Sequence, residues 1–285
     1  MKPGEYAIGE TAAGRFRSAE LVFARGGGRS ALVRQTVPYP FHVTRPFALD
    51  AARPDLATLY LQSASGGVYR GDRLDLRLTV KAGALAHVTS QAATVVHDTG
   101  AAPARQSVAV DVGDDAFAAL TLDPLVMFPG AALDLATEVR LGDGAVAIVA
   151  DGVAWHDYAG LDRPFDRLAA ETRVVGPGGA TLVVDRSAVL GAELIGPRSL
   201  LGPDCAAYGS ALLLGPAARL PDAAAVEAAL DAVSCRAGAG GLPNDAGLGV
   251  RMVAANGGAI TRGIEALFDL AVEAALGFSP ARRRK

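Results

Sequence analysis

The sequence predicts a mainly β protein: an elongated β-helical or stacked-hairpin body with a small helix–strand–helix unit near the C-terminus. Three observations predict it. Apolar and polar residues alternate with a period of two through much of Leu74–Val184. The 34 glycines and 16 prolines imply many turns. Turn signals also recur at a loose spacing of roughly 30 residues, as in repeat architectures.

The elements follow in order. Leu74, Leu76, Leu78 and Val80 alternate with Arg73, Asp75, Arg77 and Thr79, which describes a half-buried strand. Lys81-Ala82-Gly83 turns the chain into the apolar run Leu85–Ser90. The same grammar returns as Val108, Val110 and Val112, then Gly113-Asp114-Asp115, then Phe117–Leu122. It returns as Leu133, Leu135, Val139 and Leu141, then Gly142-Asp143-Gly144, then Val146–Ala150. A fourth copy runs Thr172–Val175, Gly176-Pro177-Gly178-Gly179, Thr181–Val184. Each copy reads as a hairpin, because Gly and Asp supply the positive φ that tight turns require. No hairpin is stable alone, so stacking into a coil or two layers must bury the apolar faces.

Beyond about residue 215 the pattern changes. Asp222 can cap a helix carrying Val226, Ala229, Leu230 and Val233, which Gly238–Gly241 would end. A strand over Leu248–Ala254 follows. Ile260, Ile264, Leu267, Ala271 and Ala274 then define a second amphipathic helix, closed by Gly277 and Pro280. The expected organisation is a β-stranded body over 1–215 and a helix–strand–helix unit with a basic tail over 216–285, packed together as one structural domain.

Composition excludes several classes. With 51% hydrophobic and 20% charged residues the chain is globular, and with 6% aromatics its core is built from small aliphatics. A net charge of −3 argues against a surface given over to nucleic acid. The exception, Arg282-Arg283-Arg284-Lys285, reads as a solvated terminus, or as a docking peptide for an acidic partner. Cys205 and Cys235 are too few for a disulfide framework and suit a reducing compartment. The N-terminal residues lack the apolar segment of a secretory signal, and no run approaches the roughly 20 apolar residues of a membrane span. The expected location is the cytoplasm.

The catalytic inventory is thin. His42, His87, His97 and His156 form no zinc-binding helical pair and read as surface or core histidines. Gly209-Ser210 lacks a nucleophile elbow. Gly66-Gly67-Val68-Tyr69-Arg70-Gly71-Asp72 lacks the Lys-Ser/Thr of a phosphate-binding loop and opens a strand. This favours binding or assembly over catalysis. The competing reading is a β-solenoid hydrolase or epimerase with paired carboxylates in a groove.

Five blocks carry a resemblance. Gly66–Leu74 resembles the GGxxxGDxL signature of the urease accessory protein family UreD, also called UreH. Thr89-Ser90-Gln91-Ala92-Ala93-Thr94 resembles its TTQAAT block, and Asp123–Ala131 its DPxIxFxGA stretch. Leu182-Val183-Val184-Asp185-Arg186 resembles its LLxDR strand, and Arg45-Pro46-Phe47 an early RPF-like segment. The blocks fall in the family's order along nearly the whole chain. The chain departs from the pattern at Tyr69-Arg70-Gly71, at Ala150 before Asp151, and at its basic C-terminus.

The resemblance implies a non-enzymatic chaperone for urease maturation. It would bind the urease apoprotein with UreF and the GTPase UreG, in an accessory complex able to dimerise, and assist nickel insertion. No cofactor is implied as permanently bound; nickel is in transit. The family's proposed nickel path maps onto Asp72, Thr94, Asp151 and Asp185, whose hard oxygen donors can pass on a borderline ion without trapping it. The same residues also allow plainer roles: a turn cap for Asp72 and an ion pair with a nearby Arg for Asp185.

Overall fold

The computed structural model describes residues 14–195, 199, 202 and 204–283. The expected β-solenoid-like body is present, built as two stacked sheets with helices over the outer face of the second. β1 (Phe16–Gly26) and β2 (Arg29–Thr36) form an antiparallel hairpin, and β3 (Phe41–Val43) pairs antiparallel with β4 (Leu56–Ser63).

The coil starts with β5 (Arg73–Val80) in the first sheet and crosses at Lys81-Ala82-Gly83 to β6 (Leu85–Ser90) in the second. After the short β7 (Val95–Val96), β8 (Ala104–Val112) and β9 (Phe117–Thr121) repeat the crossing. After the short β10 (Leu125–Met127), β11 (Ala132–Leu141) and β12 (Val146–Trp155) repeat it again. β13 (Arg167–Val175) and β14 (Thr181–Leu190) then close the first sheet, followed by the single turn α1 (Gly191–Leu194).

This corrects the hairpin expectation at three of the four turns. The strands flanking residues 81, 113 and 142 lie in different sheets, and each pairs in parallel with its counterpart in a neighbouring rung. A corner between layers and a hairpin share one local pattern, alternating residues around a Gly/Asp turn, so the sequence does not separate them. Only the turn at 176 makes a hairpin, β13 against β14. The order in the first sheet is β14-β13-β11-β8-β5-β1-β2, parallel inside and antiparallel at both borders.

The corners stack closely. The Gly83 N–H donates to Asp114 O at 2.8 Å, the Asp115 N–H to Asp143 O at 2.8 Å, and the Asp143 N–H to Asp114 Oδ1 at 2.9 Å. A Cβ on Gly113 would stand 2.5 Å from the Ala82 nitrogen, and one on Gly142 2.7 Å from the Asp114 nitrogen. Here the glycines are required by backbone approach.

The second sheet continues from β12 through β15 (Ala207–Leu214) and β17 (Gly247–Ala254) to β16 (Arg236–Gly241), all antiparallel. Its ladder therefore runs across residue 215. α2 (Ala223–Ala232) is capped as expected, with Asp222 Oδ1 accepting from the Ala225 N–H at 2.8 Å. The expectation that Gly238–Gly241 ends this helix is corrected: it ends near Val233, and the glycines belong to border strand β16. The unit is thus helix–strand–strand–helix. Glu227 of α2 accepts from the Ala239 N–H at 2.9 Å, which caps a border donor that a glycine-rich segment leaves uncovered.

α3 (Gly257–Leu276) starts at Asn256 and ends at Gly277, whose φ of 75° is left-handed. It buries Ile260, Ile264, Leu267 and Ala271 against the outer face of the second sheet. Among the described residues no helix is long and apolar enough to cross a membrane.

The tail departs from the solvated-terminus expectation. Arg283 is buried, with its guanidinium on both Asp50 oxygens at 3.0 and 2.7 Å and 4.8 Å above the Phe268 ring. Buried charge requires this pairing. Residues 284 and 285 lie outside the described residues.

Candidate functional site

The space between the sheets holds two apolar clusters. One, near the corners, contains Leu78, Val88, Leu120, Val139 and Val149; the other contains Leu74, Val96, Met127, Leu133 and Val153. Strand alternation identifies what separates them. On the inward face of β12, Asp151 stands between Val149 and Val153; on β11, Thr137 stands between Leu133 and Val139; on β13, Thr172 stands between Leu168 and Val174. A polar layer therefore crosses the interior.

Asp151 is the best-defined member of that layer. Its register partner is Ser210 on β15, whose partner in turn is Arg251 on β17. Arg251 donates through Nη1 to Ser210 Oγ at 2.9 Å and through Nη2 to Asp185 Oδ1, and Asp185 comes from β14 of the opposite sheet. The guanidinium thus contacts the carboxylate of one layer, Asp185, and acts on that of the other, Asp151, only through its field. The Asp151 carboxylate is half-buried and accepts no hydrogen bond from any described residue. Desolvation pushes its pKa up to about 6; Arg251 opposes the rise and Asp185 adds to it. Burial also raises the nearby Tyr208 phenol.

Asp72 stands apart. It is buried just before β5 and accepts from the Arg15 N–H at 2.9 Å, Arg15 Nε at 3.0 Å, the Tyr69 N–H at 2.8 Å, and Arg15 Nη2. Desolvation alone would raise its pKa, but these donors together hold it below the usual carboxylate range. The cap suggested by sequence is thus a clamp on residues 57 positions earlier.

Thr94 lies between β6 and β7, half-buried. It lines a cleft of about 100 Å³ that reaches between the sheets beside Ser90, Gln106 and Asp123. It also lines a wider groove of about 650 Å³ with His42, Gln91 and Gly66. The two spaces share Gln62, Ser63, Ala92 and Thr94.

Of the four expected path residues, the structure brings Asp151 and Asp185 together and leaves Asp72 and Thr94 in separate settings. Asp185 does pair with an arginine, one 66 positions away; its neighbour Arg186 pairs with Glu171. The sequence reading weighed Ser210 only as a nucleophile and did not reach Arg251. The available signal was a lone cation between Val250 and Met252 in an otherwise apolar strand. Among the described residues no group of three or more His, Cys, Asp or Glu side chains is placed to hold a metal. His87 is buried, 2.7 Å from Thr121 Oγ1 and stacked 3.9 Å from Phe268, while His97 stacks 4.5 Å from Tyr69.

The fold and site together define a coiled two-sheet body with an interior polar layer in which Asp185 is paired with Arg251. The particular family follows from comparison. The UreD urease accessory protein family model matches residues 16–285, and the chain belongs to that family. It is 49% identical over 274 residues to urease accessory protein UreD 1 of Methylorubrum populi, covering 95% of this chain and 92% of the relative. It is 48% identical over 272 residues to UreD 3 of a Bradyrhizobium strain, covering 95% and 96%. UreD 1 of Pseudomonas syringae pv. syringae is 31% identical over 272 residues, covering 94% and 95%. The chain is an accessory protein, and the hydrolase or epimerase reading is set aside.

Proposed function

We propose that this chain binds the urease apoprotein together with UreF and the GTPase UreG and assists nickel insertion into the urease active site. The observation that carries the reading is family membership along nearly the whole chain, by residues 16–285. The interior polar layer is in keeping with it. Oxygen donors offered in pairs hold Ni²⁺ less tightly than a closed thiolate or imidazole cage, which suits an ion in transit. Asp151 and Asp185 are the pair that could take the ion; Thr94 lines a cleft through which it could enter. Asp72, saturated by Arg15, serves the body's integrity in this reading. Two free cysteines agree with a cytoplasmic setting.

Deleting the gene is expected to leave urease protein made but nickel-free; normal nickel content in the deletion strain would sink the proposal. Asp151→Asn and Asp185→Asn are expected to lower urease activation several-fold while the variants still co-purify with UreF. Unchanged activation with an intact complex would remove the path assignment.

A further inference from the structure

We propose that Arg251 is a movable counter-ion gate, whose guanidinium holds Asp185 and so keeps it from joining Asp151 in taking a divalent cation. The inference rests on the nickel-transit reading above and concerns how that pair is kept from becoming a trap.

Four observations carry it. Arg251 is held by three acceptors: Asp185 Oδ1, Ser210 Oγ at 2.9 Å and Val250 O at 3.2 Å. Asp151, next to Ser210 across the ladder, has no described donor on its carboxylate, so the resident cation satisfies one acid by contact and leaves the other open. With both acids ionised, one guanidinium leaves the set one positive charge short, a deficit that a divalent ion would remove. Finally, the Arg251 side chain is 38% exposed and that of Asp185 24%, so the guanidinium has a solvent side to which it can withdraw.

Guanidinium and metal exclude one another here. Arginine has donors only, stays charged in proteins and cannot ligate a cation, so a metal can use Asp185 only when Arg251 has left it. Breaking that charge-assisted contact lowers the apparent affinity for every arriving cation. A monovalent ion has little to offset the loss, whereas a divalent ion has more. The gate therefore favours brief occupancy by a doubly charged ion over storage.

The test measures Ni²⁺ binding to the full chain, co-purified with its partner, by equilibrium dialysis with nickel sulfate. Arg251→Gln is expected to gain one Ni²⁺ per chain with affinity at least about tenfold above wild type, and Arg251→Gln/Asp185→Asn to lose it again. Arg251→Lys, which keeps a cation in place, is expected to stay near wild type. Ser210→Ala loosens the anchor without removing a charge; it is expected to raise nickel affinity a few-fold even if Arg251→Gln fails to fold. Nickel binding like wild type in folded Arg251→Gln, or in Ser210→Ala when Arg251→Gln is not recovered, overturns the gate. If Asp151→Asn and Asp185→Asn lower urease activation while the folded gate variants bind nickel like wild type, the gate alone has failed. If those two leave activation intact, the transit reading has failed and takes the gate with it.

Discussion

Asp72 and Asp151 both lose bulk water, but only Asp72 receives donors in exchange, and their pH signatures run in opposite directions. The Asp72 pKa is depressed in the folded protein, so its stabilisation is present above the ordinary carboxylate pKa and is lost as pH falls through the folded value. Asp72→Asn is expected to cost about 3–5 kcal/mol at neutral pH, because Arg15 loses its counter-charge. Asp151, pushed up to about 6, binds a proton more readily folded than unfolded, so its penalty is present at neutral pH and relieved as pH falls through 6 toward 4. Asp151→Asn is therefore expected to stabilise the protein by about 1–3 kcal/mol at pH 7.5 and by less than half of that near pH 4.5. Urea unfolding at the two pH values checks both, and a gain in Asp151→Asn that ignores pH would contradict the assignment. At this scale the resemblance reached Asp72 and Asp185 through family blocks, and Asp151 by its place after an apolar run. It could not reach their partners, because Arg15 and Arg251 meet them only after folding across 57 and 66 positions.

At the scale of elements, most strands were legible and their pairing was not. The period of two located β5, β8 and β11, since alternation records which face is buried, and continuous apolar runs located β6, β9 and β12, buried on both faces. Neither pattern carries a record of which neighbour lies alongside, so corners looked like hairpins. β16 was missed for a related reason: a strand of Arg, Ala and Gly at a border, partly under α2, has almost no apolar face to alternate. The stacked corners yield a contrast. Gly142→Ala would force a methyl against the Asp114 backbone and is expected to cost about 2–4 kcal/mol. Gly238→Ala in β16 meets nothing within 4 Å and is expected to change stability by no more than about 0.5 kcal/mol. Chemical denaturation of the two variants compares them directly, and equal losses would contradict the stacking.

At the scale of the whole molecule, the three layers are tied by arginines reaching far along the chain. Arg53 donates to Leu276 O at 2.9 Å, Arg219 to Gly144 O at 2.6 Å, and Arg283 clasps Asp50 across 233 positions. Arg283→Met strands a buried carboxylate and is expected to cost about 3–5 kcal/mol, whereas Asp50→Asn/Arg283→Met removes both charges and should recover much of that loss. A double-mutant cycle read by urea unfolding measures the coupling, and additive losses would show that the pair is not coupled. The sequence showed Arg283 within a basic run without showing that it faces inward. The reversed border strands have a wider consequence. A coil of parallel rungs offers each end as a template, and identical molecules could add turn upon turn into a fibre. In this chain β2, β14, β3 and β16 all run against their neighbours, so the first and last turns do not repeat the ones inside. The coil therefore has a fixed number of turns, and a longer version would have to arise by inserting a rung within it, not by extending an end.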